Sequence, residues 1–158
     1  MTQEKKQEFT LKISQANKTQ MITILYEMVI EYLEEAIDAL GISKKEEAEK
    51  NLRYAQNCID ELIHSVDLKY ELGRMLHGIY IFSKKELIAA GASGSIHRVW
   101  KVGQNFKMLC ASYKELEKKD NSTPIMGNTQ TVYAGLTYGK YSLNEDVSAV
   151  SMNRGYMA

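Results

Sequence analysis

The stretch from Asn51 to Phe82 constrains the fold most, because two apolar ladders at helical spacing follow each other almost without a break. Within each ladder, apolar residues recur every three or four positions, which places them on one face of a helix. The second ladder begins just after Asp67. The sequence therefore predicts two helices in a tight hairpin, each with an apolar face that needs a neighbour.

Four such stripes occur before residue 118, and they predict helices at about 18–40, 46–66, 68–90 and 95–117. Asn17 with Gln20, and Ser43 with Glu46, resemble capping boxes at two helix starts, and Gly41 is predicted as a left-handed C-cap. Asp67 is predicted to cap the third helix. In that helix the residues expected to face inward are Leu72, Met75, Leu76, Ile79, Phe82 and Leu87.

Amphipathic helices with short connections pack most economically as an antiparallel bundle. The charges agree, because the first long helix is acidic (Glu27, Glu34) and the fourth is basic (Lys107, Lys114), and these two helices are neighbours in that topology. With 158 residues, a single core of ordinary size is sufficient. The predicted fold is all-α: an antiparallel up-down four-helix bundle over residues 1–117.

The two ends of the chain differ from this pattern. The first 16 residues are polar except for Phe9, Leu11 and Ile13, which are spaced by two; a short strand, an extended arm and a frayed helix all fit this short N-terminal arm. Residues 118–158 are rich in Gly, Asn, Ser and Thr, which predicts a non-helical C-terminal tail. Its apolar residues are compatible either with disorder or with docking on a partner or on the bundle.

Several classes of function are disfavoured by composition. Twenty basic and twenty acidic residues cancel, so the charge expected of a nucleic-acid binder is missing. No apolar run is long enough for membrane insertion, and the charged start does not resemble a signal peptide, which predicts a cytoplasmic protein. Cys58 and Cys110 lie in apolar stripes, so we expect reduced, buried thiols.

No catalytic constellation emerges from the residues. Glu61 and His64 form a Glu-x-x-His motif on a helix, but a di-iron site requires the motif twice and the chain contains no second copy. His77 and His97 lack acidic or cysteine neighbours at ligand spacing, and nucleophile and phosphate-loop signatures are absent. We therefore expect no catalytic residue, no metal and no cofactor, although a metal-binding bundle enzyme remains an alternative.

The remaining unusual feature is an apolar surplus outside the inward stripes. It comprises Ile24, Met28 and Tyr32 on the first long helix, and Leu68, Ile81 and Ile88 along the third. An exposed apolar patch indicates an interaction site, and methionine and tyrosine suit a flexible partner. A wider core and a homodimer interface explain the same surplus equally well.

Several segments, taken in order, resemble the flagellar secretion chaperone family FliS. They are Met21-Ile-Thr-Ile-Leu-Tyr26, Asn51-Leu-Arg-Tyr-Ala-Gln-Asn-Cys-Ile-Asp-Glu-Leu62, Val66-Asp67, Leu76, Ile79-Tyr80 and Leu87-Ile-Ala-Ala90. The tail segment Asn128-Thr-Gln-Thr-Val-Tyr-Ala-Gly-Leu-Thr-Tyr-Gly139 is similar to tails of clostridial members. The chain departs from the family pattern at Asn17-Lys18, where Ser-Pro is usual, at Met75 in place of Asn, and at Tyr113 in place of Trp.

The resemblance implies a cytosolic export chaperone, not an enzyme, that binds the disordered C-terminal segment of flagellin and blocks its premature polymerisation. The chaperone would then deliver flagellin to the export gate of the flagellar type III secretion apparatus. In the family the N-terminal segment covers the apolar groove, which by position implies Phe9, Leu11 and Ile13. The groove residues expected here are Ile24, Tyr26, Met28, Tyr32, Leu68, Tyr80 and Ile81. Both a monomer and a dimer are compatible with this function, and the alternative is a structural or self-associating helical bundle.

Overall fold

The computed structural model describes residues 1–126, which form five helices and no strand. These are α1 (Gln3–Gln15), α2 (Lys18–Gly41), α3 (Lys45–Ser65), α4 (Glu71–Ser93) and α5 (Ile96–Glu117). The predicted all-α class is confirmed; the described residues form five helices, so the predicted four-helix bundle is not confirmed. Most of the predicted tail, from residue 127 to residue 158, lies outside the described residues.

Helices α2 to α5 contribute to a single buried core, which includes Val29, Leu52, Leu87 and Val102. The predicted proximity of the acidic and basic helices is confirmed by two ion pairs, Glu34–Lys107 and Glu27–Lys114, each with a nitrogen–oxygen distance of 2.8 Å. The residue numbers rise along α2 as they fall along α5, so these helices run antiparallel. Contacts divide the described residues into two compact units, residues 19–121 with Met1, and residues 2–18 with residues 122–126.

The N-terminal segment is a helix, which is one of the three forms that the sequence left open. The Thr2 side chain accepts a hydrogen bond from the Lys5 amide as an N-cap, and Glu8 pairs with Lys12 one turn later at 2.8 Å. These polar residues favour a helix and override the spacing of two among the apolar residues. Phe9 is buried and Leu11 is 50% exposed, because residues two apart lie on different faces of a helix.

The turn between α2 and α3 differs from the predicted capping. The residue with positive φ is Ser43 (φ 60°), not Gly41. The Lys44 amide donates to the Ala39 carbonyl (2.8 Å) and the Ser43 amide to the Leu40 carbonyl (3.1 Å), which is the bonding pattern of a Schellman motif. Ser43 therefore ends α2, and the predicted capping box with Glu46 does not form: the N-cap of α3 is Lys44 and makes no side-chain bond.

The loop between α3 and α4 is held by side chains, and α4 begins at Glu71 rather than at residue 68. Asp67 does not cap the helix; its carboxylate accepts a hydrogen bond from the Lys69 amide at 2.9 Å. Arg74 donates to the carbonyls of Leu68 and Lys69, each at 2.9 Å. The loop consequently lies against the first turn of α4.

The buried face of α4 is shifted from the predicted one. The buried residues are Gly73, Leu76, Tyr80, Ser83, Leu87 and Ala90. Leu72, Met75 and Phe82, which the sequence predicted to face inward, are 52%, 57% and 57% exposed. The helix thus carries two apolar stripes one residue apart, and the stripe that contains the small residues is the one in the core.

At the far end of α4 the chain turns at Gly94, which has a φ of 66° and accommodates the left-handed conformation without a Cβ clash. Ser95 then caps α5 by accepting a hydrogen bond from the Arg98 amide at 3.4 Å. In the second unit, the Ile125 amide donates to the Ala16 carbonyl at 3.0 Å, and the Asn17 side chain donates to the Ser122 carbonyl at 3.4 Å. Residues 16–17 and 122–125 therefore lie side by side.

Candidate functional site

Two of the predicted groove residues, Tyr26 and Tyr80, lie in the core rather than at the surface. They are 0% and 1% exposed, and their hydroxyl groups share a hydrogen bond that joins α2 to α4. The Tyr26 ring also packs edge-on against Phe106 and Tyr113 of α5, with centroid distances of 5.8 and 5.2 Å. These four aromatic residues form a cluster, the aromatic knot, that fixes three helices to one another.

Burial keeps the phenols of the knot neutral. It raises the pKa of Tyr80 to about 12, although the hydrogen bond from Tyr26 acts in the opposite direction. Burial also raises the pKa of Tyr26, and the hydrogen bond with Tyr80 raises it further. Burial likewise raises the pKa of Tyr113. The knot therefore contributes packing and one shared hydrogen bond, with no ionised group at neutral pH.

The other predicted groove residues on α2 are buried or half-buried. Ile24 and Tyr32 are 6% and 8% exposed, and Met28 is half-buried. The Tyr32 ring lies 5.2 Å from that of Tyr54 on α3, and burial raises the Tyr32 pKa to about 12. Cys58 is also buried, which raises its thiol pKa to about 12. Both cysteines are free and buried, as predicted.

The predicted residues near α4 are more accessible. Leu68 is 51% exposed in the loop that Arg74 holds, and Ile81 is half-buried. Ile88 is 55% exposed and, two helical turns beyond Ile81, shares its face. We call these two residues the Ile81–Ile88 face. The structure thus separates the predicted residues into an exposed group near α4 and a buried group on α2 and in the knot.

Sequence reasoning missed a second exposed stripe on α4. It consists of Leu72, Met75, Ile79 and Phe82, and we call it the α4 seam. Three of the four are more than half exposed, and Ile79 is half-buried. The signal that could have revealed it is a second stripe of small residues on the same helix, which includes Gly73, Ser83 and Ala90. This second stripe is easily overlooked because small residues are inconspicuous on a hydropathy scale.

The family model described as "Flagellar protein FliS" matches residues 1–120, which span all five helices. The chain belongs to the FliS family. No curated protein matches it at a significant level. FliS is a family of cytosolic flagellar export chaperones rather than of enzymes. None of the FliS helices within residues 1–126 has the length and apolarity that a membrane crossing requires.

This FliS chain also has a small pocket and a Glu-x-x-His motif. A pocket of about 300 Å³ opens where the α2–α3 turn meets the end of α4, and its lining is mostly apolar, with Lys45 and Glu49 as the charged residues. Glu61 and His64 are exposed, as predicted, while Ile59 and Leu62 occupy the core face. Among the described residues, no three His, Cys, Asp or Glu side chains are grouped closely enough to hold a metal ion.

Proposed function

We propose that this FliS chain is a cytoplasmic export chaperone for flagellin. It binds the disordered C-terminal segment of newly made flagellin, prevents premature polymerisation, and delivers the client to the flagellar type III export gate. The observation that carries this proposal is the family match over residues 1–120, which includes every helix of the described structure.

The physics of the client supports the proposal. A segment that becomes helical only in an assembled filament carries apolar residues with no surface to bury them against. An amphipathic client segment that orders on a preformed apolar surface gains that burial. Because part of the interaction energy is spent on ordering the client, the complex stays releasable for export.

We assign the client contact to the accessible residues of the predicted apolar surplus. Leu68 and the Ile81–Ile88 face offer apolar surface on and beside α4, and Met28 is half-buried on α2. In this proposal Tyr26 and Tyr80 support the helices that carry the contact residues. Ile24 and Tyr32 are buried on the same helix as Met28 and serve the same purpose.

The proposal retains a regulatory role for the N-terminal helix, as the family resemblance implies. Within α1, Phe9 and Ile13 are four residues apart and share one face, whereas Leu11 lies on another. We therefore expect Phe9 and Ile13 to carry the covering role. Phe9→Ala and Ile13→Ala should change client affinity, whereas Leu11→Ala should change it little.

Titration calorimetry with a C-terminal fragment of flagellin from the same cell tests the proposal. We expect a one-to-one complex with a negative heat-capacity change, because apolar surface is buried. Leu68→Ala and Ile88→Ala should weaken binding, while Met108→Ala, at a 69% exposed position on α5, is the control. Absence of binding to the flagellin fragment would contradict the proposal.

A further inference from the structure

The α4 seam has the spacing of a helix-pairing surface. Its residues follow each other at intervals of three, four and three, which is the repeat by which two helices interlock side chains along a shared axis. Leu72, Met75 and Phe82 are 52%, 57% and 57% exposed. The described chain leaves this apolar row without a covering element, although a neighbouring row of the same helix forms the core.

The charges beside the seam are placed so that they can pair with those of a second copy. Glu71 lies at one end of it and Lys85 at the other, and both are exposed. Within residues 1–126 neither side chain has an ion-pair or hydrogen-bond partner. An acidic end and a basic end on one helix become complementary to themselves when a second copy of the helix runs antiparallel across it.

The midpoint between these charges is occupied by Gly78, seven residues from each. Glycine disfavours a helix relative to alanine, and no packing in the described structure requires it here, since a Cβ at this position would meet nothing within 4 Å. A helix backbone without a side chain permits close approach of a second helix. Gly78 therefore marks a suitable crossing point for two copies of α4.

We infer that the α4 seam is a two-fold, antiparallel homodimer interface. With the helices crossing near Gly78, Glu71 of one copy faces Lys85 of the second copy, and the reverse pair forms by symmetry. In the same arrangement Leu72 and Met75 of one copy lie opposite Phe82 and Ile79 of the second. A single two-fold arrangement thus covers the apolar row and pairs the free charges.

Charge reversal provides the sharpest test, read out by sedimentation velocity of the full chain over about 1 μM to 1 mM. Glu71→Lys or Lys85→Glu alone turns both symmetry-related pairs from attraction to repulsion. We expect each to weaken dimerisation by about fivefold to thirtyfold at low salt, and less at high salt. The double variant Glu71→Lys/Lys85→Glu should recover the parent affinity.

Recovery in the double variant can arise only between chains. The two positions are separated by ~21 Å along the helix, well beyond the ~8 Å screening length at physiological salt. As an independent check, a one-to-one mixture of the two single variants should dimerise more tightly than either variant alone, because both pairs are then attractive. Lack of recovery, or no gain on mixing, overturns the antiparallel pairing.

Apolar variants test the seam itself and its occupant. Phe82→Asp should leave the chain monomeric, whereas Ile88→Asp, equally exposed on another face of α4, should dimerise like the parent. Circular dichroism confirms that both variants remain folded. A parent protein that is monomeric throughout the series overturns the inference. So does a Phe82→Asp variant that still dimerises but no longer binds the flagellin fragment, because the seam then belongs to the client.

Discussion

Replacing Gly73 by alanine should destabilise the protein, although the same change at Gly78 in the same helix should stabilise it. A Cβ at position 73 would lie 2.0 Å from the backbone carbonyl oxygen of Asp67 and 2.8 Å from its carbon. Relief requires the loop to retreat by more than ~1 Å, since unbonded heavy atoms separate by about 3.5 Å. At Gly78 a Cβ would meet nothing within 4 Å.

The size of the destabilisation by Gly73→Ala follows from the hydrogen bonds that hold the loop in place. Its retreat stretches the two 2.9 Å hydrogen bonds from Arg74 to the Leu68 and Lys69 carbonyls, together with the Tyr70–Asp67 backbone bond. Overpacking and weakened bonds of this kind are worth about 2–4 kcal/mol. Alanine recovers about 1 kcal/mol of helix propensity. We therefore expect Gly73→Ala to lower the free energy of unfolding by about 2 kcal/mol.

Urea denaturation at low micromolar protein, where self-association is minimal, measures both variants. Gly78→Ala should raise the free energy of unfolding by up to about 1 kcal/mol, so the two alanines should differ by roughly 3 kcal/mol with similar m-values. Hydrogen exchange should also show faster exchange of the Lys69 and Tyr70 amides in Gly73→Ala. Equal or same-direction shifts for the two variants would refute the steric argument.

Three further predictions concern the turns, the core and pH. Ser43→Gly should stabilise the protein by about 0.5–1 kcal/mol, because Ser43 has a positive φ that glycine adopts more easily. Gly94→Ala should destabilise it by about as much, because Gly94 also has a positive φ. Thermal unfolding measures both changes. Ser83→Ala should raise the free energy of unfolding by about 1 kcal/mol, since the buried hydroxyl has no hydrogen-bond partner among the described residues; no change in urea denaturation would contradict this. Burial raises the pKa of Cys58 and of Tyr80 to about 12, so the unfolded chain loses these protons first as the pH rises. Stability should therefore be independent of these groups below about pH 8 and fall above about pH 9, as denaturation at a series of pH values would show.

The buried face of α3 was predictable because its apolar residues form a single stripe. In α3, for example, Leu52, Ile59 and Leu62 are all buried, as the spacing indicated. The ion pairs between α2 and α5 were also predictable, since opposite charges were concentrated on two helices. These features depend on residue type and period alone, which is the information that a sequence expresses directly.

Helix α4 and the candidate site were less predictable because two stripes compete in one helix. Leu72 and Phe82 have the larger apolar side chains, but the core selects the stripe containing Gly73 and Ser83. Close packing against the α3–α4 loop requires a residue without a Cβ at position 73, and that requirement determines the rotation of the helix. Tyr80 consequently turns into the core, and the predicted groove loses an exposed member.

The form of the N-terminal segment stayed open for a different reason. The spacing of Phe9, Leu11 and Ile13 was compatible with a short strand, an extended arm or a frayed helix, while the intervening Glu, Gln and Lys residues favour a helix. Three apolar residues are too few to define a period. Local capping by Thr2 and the Glu8–Lys12 pair decided the outcome.

The hydrogen bond between the Ile125 amide and the Ala16 carbonyl has a consequence for the order of folding. It joins residues that are far apart in sequence, and such contacts form late because a long loop must close first. During synthesis Ile125 also emerges from the ribosome only after α1 to α5 have been made. The junction between α1 and α2 therefore acquires its final backbone partner last, and a nascent chain that stops before residue 125 should exchange the amides around Ala16 more rapidly than the finished protein does.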